Sequence, residues 1–210
     1  MTTAPPPYET PRAIGLWNSV ARVYDLVFIP LDVLLFRRWR RRAVASIERW
    51  PLLEVGAGTG LNFPLYPRQA YGVATDLSYA MLRRAARRKD RPSRMHLVVA
   101  DVHRLPFRDG AFAEALATLV FCGVASPGRG LAELRRAVGP SGRAVLFEHV
   151  RPKGALGRCF DFLNLFTAPL FCEHLNRETA VEVAKWFEIA WLRETGRGVL
   201  QLISARSGSS

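Results

Sequence analysis

The stretch Pro51-Leu-Leu-Glu-Val-Gly-Ala-Gly-Thr-Gly60 constrains the fold more than any other part of the chain. A short apolar run, Leu52, Leu53 and Val55, carries one acid at Glu54 and then breaks into three glycines at alternate positions. Such a run reads as a buried parallel strand ending in a tight turn before a helix, the opening unit of an α/β sheet. Gly56, Gly58 and Gly60 remove the side chains that would hold a ligand off the backbone, and amide N–H groups at such a turn can point at it. The spacing argues against two phosphate sites. A dinucleotide loop wants G-x-G-x-x-G, with its third glycine where Leu61 stands, and a P-loop wants G-K-[ST], whereas no lysine follows here. Glu54, two residues before the first glycine, repels phosphate and attracts an amino or sulfonium group. The expected ligand is a nucleoside with a cationic tail.

Two further acids follow apolar strands. Tyr71-Gly-Val-Ala-Thr-Asp76 puts Asp76 at the carboxyl end of the neighbouring strand, where it can accept from both hydroxyls of a ribose. Asp76 or Ser78 is also a good cap for the helix that follows, and both roles can hold at once. Met95 to Ala100 runs into Asp101 in the same way, at the edge where open α/β sheets bind ligands. The continuation Leu105-Pro106-Phe107, then Asp109-Gly110, completes a pattern that resembles the class I S-adenosylmethionine-dependent methyltransferases, within them the methyltransferase type 11 group. The resemblance spans Leu52 to Val150 with specific motifs and the flanks more loosely. It implies an α/β, Rossmann-like, seven-stranded and mostly parallel sheet with an antiparallel last strand, helices on both faces and an N-terminal helical lid. It also implies S-adenosyl-L-methionine as methyl donor and S-adenosyl-L-homocysteine as product. Glu54 would meet the aminoacyl cation, Asp76 the ribose, Leu77 the adenine ring and Asp101 the adenine amine. Gly56, Ala57, Gly58, Gly60, Asn62, Val102 and Phe121 complete the cofactor contacts it implies, and no metal is expected. Ala113 departs from the group, which usually carries an acid there. The N/D-P-P-Y motif of nucleobase-amine methylation is missing after Phe121.

At 210 residues one domain is the simplest organisation. Residues 1–50 read as an N-terminal arm and amphipathic lid helices, 51–150 as the cofactor-binding core, and 151–210 as an apolar insertion with a closing helix and hairpin. The net charge of +12 is nearly all arginine, since Lys89, Lys153 and Lys185 are the only lysines. That surface favours acidic partners: nucleic acid, an anionic bilayer, or lipid head groups. The arginines are interleaved with helix faces instead of gathered with exposed aromatics, which weakens the nucleic-acid choice. Cys122, Cys159 and Cys172 lack C-x-x-C spacing and support neither a disulfide framework nor a zinc site, so a reducing cytoplasm is expected. The first residues show no basic region followed by an apolar core, and no apolar stretch reaches the roughly 20 residues a bilayer demands. A peripheral position at the inner face of the membrane is the expectation.

The flanks bear on the acceptor. Past Pro30, Leu31, Leu34, Leu35, Trp39, Ala43 and Ile47 recur at helical spacing, with Arg37, Arg40 and Arg41 towards the other side. This basic amphipathic helix is either a solvated face over a buried one or an attachment to an anionic membrane surface. Residues 151–176 form a greasy surface loop broken by Pro169, which closes over the core or meets lipid or an apolar substrate. Asn176 is expected to cap the next helix, and 187–194 with 197–205 to form a terminal hairpin. His103 reads as a loop histidine before a catalyst. His149, in Glu148-His149-Val150, is either tied to a loop carbonyl or binds and deprotonates the acceptor. The resemblance reaches bacterial phosphatidylethanolamine N-methyltransferases, quinone C-methyltransferases and membrane-associated alkyl-thiol methyltransferases. Charge, amphipathic entry and apolar insertion together favour a phospholipid acceptor. Stepwise N-methylation of phosphatidylethanolamine is the expectation, with Tyr24, Asp25 and His149 holding the ammonium and helping remove its proton. A small thiol or a quinone is the alternative acceptor, and a basic nucleic-acid-binding protein on an inherited fold is the alternative of another class.

Overall fold

The computed structural model describes residues 9–171, 174–196 and 198–208. A loose arm was expected over residues 1–12; its first eight residues lie outside the described residues, as do residues 172–173, 197 and 209–210, and Glu9 to Arg12 already belong to the first helix. Helix α1 (Glu9–Leu31) runs through a π-helical turn (Asp32–Phe36) into α2 (Arg37–Ala45). The core follows as β1 (Leu52–Val55), β2 (Tyr71–Asp76), α3 (Tyr79–Ala85), β3 (Arg94–Val99), β4 (Glu114–Thr118), α4 (Pro127–Val138) and β5 (Arg143–His149). The chain closes with α5 (Gly154–Phe171), α6 (Thr179–Ala184), β6 (Glu188–Thr195) and β7 (Leu200–Arg206).

One seven-stranded sheet runs in the order β3-β2-β1-β4-β5-β7-β6. The first five strands are parallel, and β7 inserts antiparallel between β5 and β6. Strand order reverses between β1 and β4, which opens a crevice at their carboxyl ends. Period-two alternation explains the two-sided core. Leu53, Val55, Ala115, Ala117, Leu146 and Ile203 pack under α4 and α6 on one face. Leu52, Leu116, Val145, Phe147 and Leu202 pack with α2 and α3 on the other. Both faces of β1 and β4 are therefore covered, as near-continuous apolar strands require. Glu114 interrupts β4 at its far end, away from the crevice, where Arg143 lies 2.9 Å away and the Glu48 amide donates at 3.1 Å. This is a structural anchor.

The flanks differ from expectation. Helix α1 continues through Pro30 and leads directly into the π-turn. Asp32 and Arg40 are eight residues apart, about 80° off one another on a regular α-helix, but one extra residue in a π-turn brings them onto one face. Arg40, expected on the solvated side, is consequently buried with its Nε 2.6 Å from Asp32 Oδ1. Leu34 and Leu35, expected inward, are 80% and 53% exposed. The segment expected as a greasy loop is α5, helical through Pro169, and it leaves Phe162, Leu163, Leu165 and Phe166 exposed. Arg151 pins its middle through a bidentate pair with Asp161, at 2.8 and 2.7 Å. The short α6 starts at Thr179 after Glu178, with no side-chain cap; Asn176 sits in the preceding turn. No described helix is long and apolar enough to cross a membrane.

Candidate active site

A cavity of about 340 Å³ opens at the carboxyl ends of β1 to β4, beneath α1. Gly56 and Gly58, both with left-handed φ, form its floor, and Thr75, Asp76 and Leu77 follow from β2. Ala100, Asp101, Val102 and His103 contribute the β3 side; Leu119, Val120 and Gly123 to Ala125 the β4 side. Arg12, Ala13, Trp17 and Tyr24 of α1 form the roof, with Ala168 and His174 at the edge. Of the expected residues, Tyr24, Gly56, Gly58, Asp76, Leu77, Asp101 and Val102 line this cavity.

The close approach of the glycine loop is steric. A Cβ on Gly56 would lie 2.5 Å from a Val120 methyl, so the loop and the β4 end can touch only without it. A Cβ on Gly58 would meet nothing within 4 Å and would occupy open space beside the cavity instead. The wall opposite is fixed by Glu148 at the end of β5, whose carboxylate accepts from the Val120 and Phe121 amides at 3.0 and 3.1 Å. That grip supports Leu119 at φ +57, a conformation that costs a non-glycine residue about 1–2 kcal/mol.

Asp76 accepts from the Gly58 amide and from the Ser78 amide, each at 2.8 Å. Burial pushes its carboxyl above the usual range, and the two amides oppose that rise. Ser78 does cap α3, accepting from Met81 N at 3.2 Å. Asp101 accepts from the His103 amide at 2.9 Å and stands 2.7 Å from its Nδ1. Burial raises this carboxyl too, but the hydrogen bonds from His103, together with the charge of Arg129, outweigh it and leave it below the ordinary range.

Several expected contacts are arranged otherwise. Glu54, fully buried, accepts from Asn62 Nδ2 at 2.8 Å and from the Tyr66 hydroxyl at 2.9 Å, and its side chain does not line the cavity. Burial raises its carboxyl, while Asn62, Tyr66 and the charge of Arg40 pull it back. Asn62 and Arg40 both reach Thr118 Oγ1, at 3.0 and 2.6 Å, so the network Asp32–Arg40–Thr118–Asn62–Glu54–Tyr66 braces the loop from behind. Ala57 and Gly60 belong to that buried side: the Ala57 amide donates to Thr75 O, and Gly60 lies against the Phe63 ring. Phe121 turns into the core beside Gly130 instead of lining the site, because the turn at Leu119 redirects the chain. Asp25 accepts from Thr59 Oγ1 at 2.6 Å and faces Arg84 and Arg88, latching α1 to the loop and α3 away from the cavity. His149 shares the face of β5 that carries Phe147, one strand beyond the switch point, and does not line the cavity; His174 does.

A helical lid carrying Tyr24 was expected from the sequence; the parts of Trp17 and Asn18 in it were not. Trp17 and Tyr24, and separately Asn18 and Asp25, are seven residues apart, two helical turns, which puts each pair on one face. The first pair meets edge to face at 6.2 Å and leads through Phe28 and Phe36 to Phe147 in the core. Asn18 accepts from Ser78 Oγ at 2.6 Å and so ties α1 to the residues after Asp76.

Known proteins resemble this chain in sequence and in fold. The family described as a methyltransferase domain matches residues 53–146. A demethylmenaquinone methyltransferase of Clavibacter sepedonicus is 34% identical over 197 residues, covering 87% of this chain and 80% of that protein. The chain belongs to the class I S-adenosylmethionine-dependent methyltransferases. A second relative, the demethylmenaquinone methyltransferase of Thermus thermophilus, is 35% identical over 68% of each chain. Among solved structures, geranyl diphosphate C-methyltransferase of Streptomyces coelicolor, in complex with S-adenosyl-L-homocysteine, superposes with a TM-score of 0.70 at 16% identity, covering 98% of this chain and all of that one. The [4+2]-cyclase SpnF does so at 0.69 with 15% identity, covering 92% of this chain and 96% of that one. Such distant likeness speaks to fold alone. The methyltransferase takes S-adenosyl-L-methionine as its cofactor, and the bare floor at Gly58 with two carboxylates around one cavity fits a nucleoside.

Proposed function

We propose that this methyltransferase methylates the ring of an apolar quinol, holding the donor on Gly56, Gly58, Asp76, Leu77, Asp101 and Val102. S-adenosyl-L-methionine supplies an electrophilic methyl group on a sulfonium. Asp76 accepts from ribose hydroxyls, and Asp101 accepts from the adenine amine. Val102 and Leu77 cover the base. Glu54 acts at a distance, holding the glycine loop in shape through Asn62 and Tyr66.

The observation that carries the acceptor class is the diversion of Asp25. Burying a phosphatidylethanolamine ammonium in the cavity calls for an anion beside the reacting nitrogen. Among the described residues, the carboxylates lining the cavity, Asp76 and Asp101, belong to the nucleoside end, and Asp25 is spent on Thr59, Arg84 and Arg88. The rest of the described lining is mainly apolar, with Trp17, Tyr24, Leu119, Val124, Ala125 and Ala168, and its basic groups beyond His103 are Arg12 and the imidazole of His174. An apolar ring suits that lining, and the names of the relatives favour the quinone alternative over phospholipid. Carbon becomes nucleophilic when the neighbouring ring hydroxyl gives its proton to a nitrogen of His174; the hydrogen displaced at the methylated carbon then leaves as a proton, and the ring oxygen regains one from the imidazolium. Positioning and exclusion of water by α1 do the rest, a contribution of up to about 7–11 kcal/mol when the geometry is right.

The approach is membrane-side. Val23, Leu26, Ile29, Val33, Leu34 and Leu35 are exposed along α1 and the π-turn, next to exposed Arg37, Arg38 and Arg41. That combination suits shallow seating on an anionic bilayer. Incubation with methyl-labelled S-adenosylmethionine tests the acceptor, using a short-chain demethylmenaquinol in one arm and phosphatidylethanolamine vesicles in the other. Label on the quinol carbon is the expected result. Label confined to the phospholipid or to small thiols refutes the acceptor choice.

A further inference from the structure

His103 is the one histidine on the nucleoside side of the cavity, and both of its ring nitrogens are engaged. Its ring is buried. Nε2 accepts from the Ser126 amide at 3.1 Å. A nitrogen that accepts from an amide carries no proton, so the proton sits on Nδ1 and Nδ1–H donates to Asp101 Oδ1 at 2.7 Å. The His103 amide donates to the same oxygen at 2.9 Å. Oδ1 is thus held twice, whereas Oδ2 has no hydrogen-bond partner among the described residues. A carboxylate gripped on one oxygen has lost its free rotation and offers the other in a fixed direction.

The grip stands on a rigid base. The chain after His103 is strapped to α4 by Glu133, which accepts from the Leu105 amide at 2.8 Å, and by Arg136, which donates to the Leu105 and Phe107 carbonyls at 3.1 and 2.6 Å. At the other end of the imidazole, Ser126 follows Val124 and Ala125, which line the cavity wall next to α4. A histidine serving packing alone needs no such pair of partners. This one joins the acid at the nucleoside end to the wall of the acceptor end.

We propose that His103 is a positioning residue that aims Asp101 at the exocyclic amine of adenine and thereby sets the enzyme's preference for an adenine nucleoside. This rests on the assignment of Asp101 to that amine. The preference is measurable with S-adenosyl-L-homocysteine and its deaminated counterpart S-inosyl-L-homocysteine, in which a carbonyl replaces the amine and can only oppose a carboxylate.

Calorimetric titration of both ligands, with the unmodified protein and three variants, tests the proposal. Asp101→Ala reports on the assignment and should erase the preference. His103→Asn presents its amide NH₂ where Nδ1–H stands and keeps the grip on Asp101. His103→Gln reaches the Nε2 position and keeps the Ser126 partner but releases Asp101. The expected result is a preference lowered about tenfold in the glutamine variant and held within about threefold in the asparagine variant, the size of one charged hydrogen bond. If Asp101→Ala keeps the preference, the assignment of Asp101 fails and the proposal with it. If Asp101→Ala erases it while the glutamine variant retains it, or weakens both ligands equally, His103 is structural and the proposal alone fails. Thermal melts of the variants identify one that has not folded, and the asparagine–glutamine contrast separates aiming from stability.

Discussion

Replacing Arg40 with methionine removes the cation at the centre of the buried network behind the glycine loop. Arg40 and Asp32 are each 5% exposed, their side chains 2.6 Å apart. The substitution leaves the Asp32 carboxylate buried without its partner and takes a donor from Thr118 Oγ1. Breaking one side of a buried pair costs about 3–5 kcal/mol. That is a large share of a domain stability of about 5–15 kcal/mol. At about 2–4 °C per kcal/mol for a chain of this size, the melting temperature should fall by about 6–20 °C. The double substitution Asp32→Leu with Arg40→Met removes both charges, and should recover most of that loss, because an apolar pair of similar volume is often neutral or better. Urea denaturation of the four proteins in the cycle gives the coupling directly. The pH dependence carries a second sign. Glu54 is raised by burial, so its charged form destabilises the fold, and stability falls as pH rises through its folded value. Arg40 moderates that rise; without it the decline towards neutral pH should be steeper. A single substitution costing less than about 1 kcal/mol, or additive losses in the double, would refute this account of how α2 is joined to the loop.

Gly56→Ala and Gly58→Ala should differ in kind. Both carry left-handed strain of about 1–2 kcal/mol, but only the first drives a methyl group into Val120; urea melts should show it the less stable, whereas Gly58→Ala should mainly weaken calorimetric binding of S-adenosyl-L-homocysteine. His174→Ala should lower turnover by about 10²–10⁴-fold with donor affinity little changed, if its imidazole takes the acceptor's proton. His149→Ala should affect turnover far less in the same assay, since that side chain does not line the cavity. Asp25→Ala, which releases α1 from Thr59, should speed dissociation of S-adenosyl-L-homocysteine in stopped flow; an unchanged rate would show that α1 is not held there.

The core was legible because its signals are local. An apolar run ending in alternate glycines, and acids following the next two strands, gave the strand ends and the crevice without tertiary knowledge. Asp76 and Asp101 line the cavity for that reason, as do Gly56 and Gly58. The differences from expectation were long-range. Glu54 reads as a ligand for a cation from spacing, but the partners that absorb it, Asn62 and Tyr66, are set by the turn after the loop. Arg40 reads as solvated because a regular helix puts it there; one π-turn reverses its side. His149 and His174 could not be ranked from sequence, since only the strand order decides which imidazole reaches the cavity. The aromatic roof at Trp17 and Tyr24 did carry a signal, a two-turn repeat, that hydrophobic content alone obscures.

Calorimetric titration of the folded protein with S-adenosyl-L-homocysteine measures the central claim, that two strand-end carboxylates and a bare glycine floor hold an adenosyl group. One site per chain is predicted, weakened about a hundredfold in Asp76→Ala through the loss of charge-assisted hydrogen bonds to the ribose. No heat with the folded protein, or equal affinity in the Asp76 variant, would contradict it.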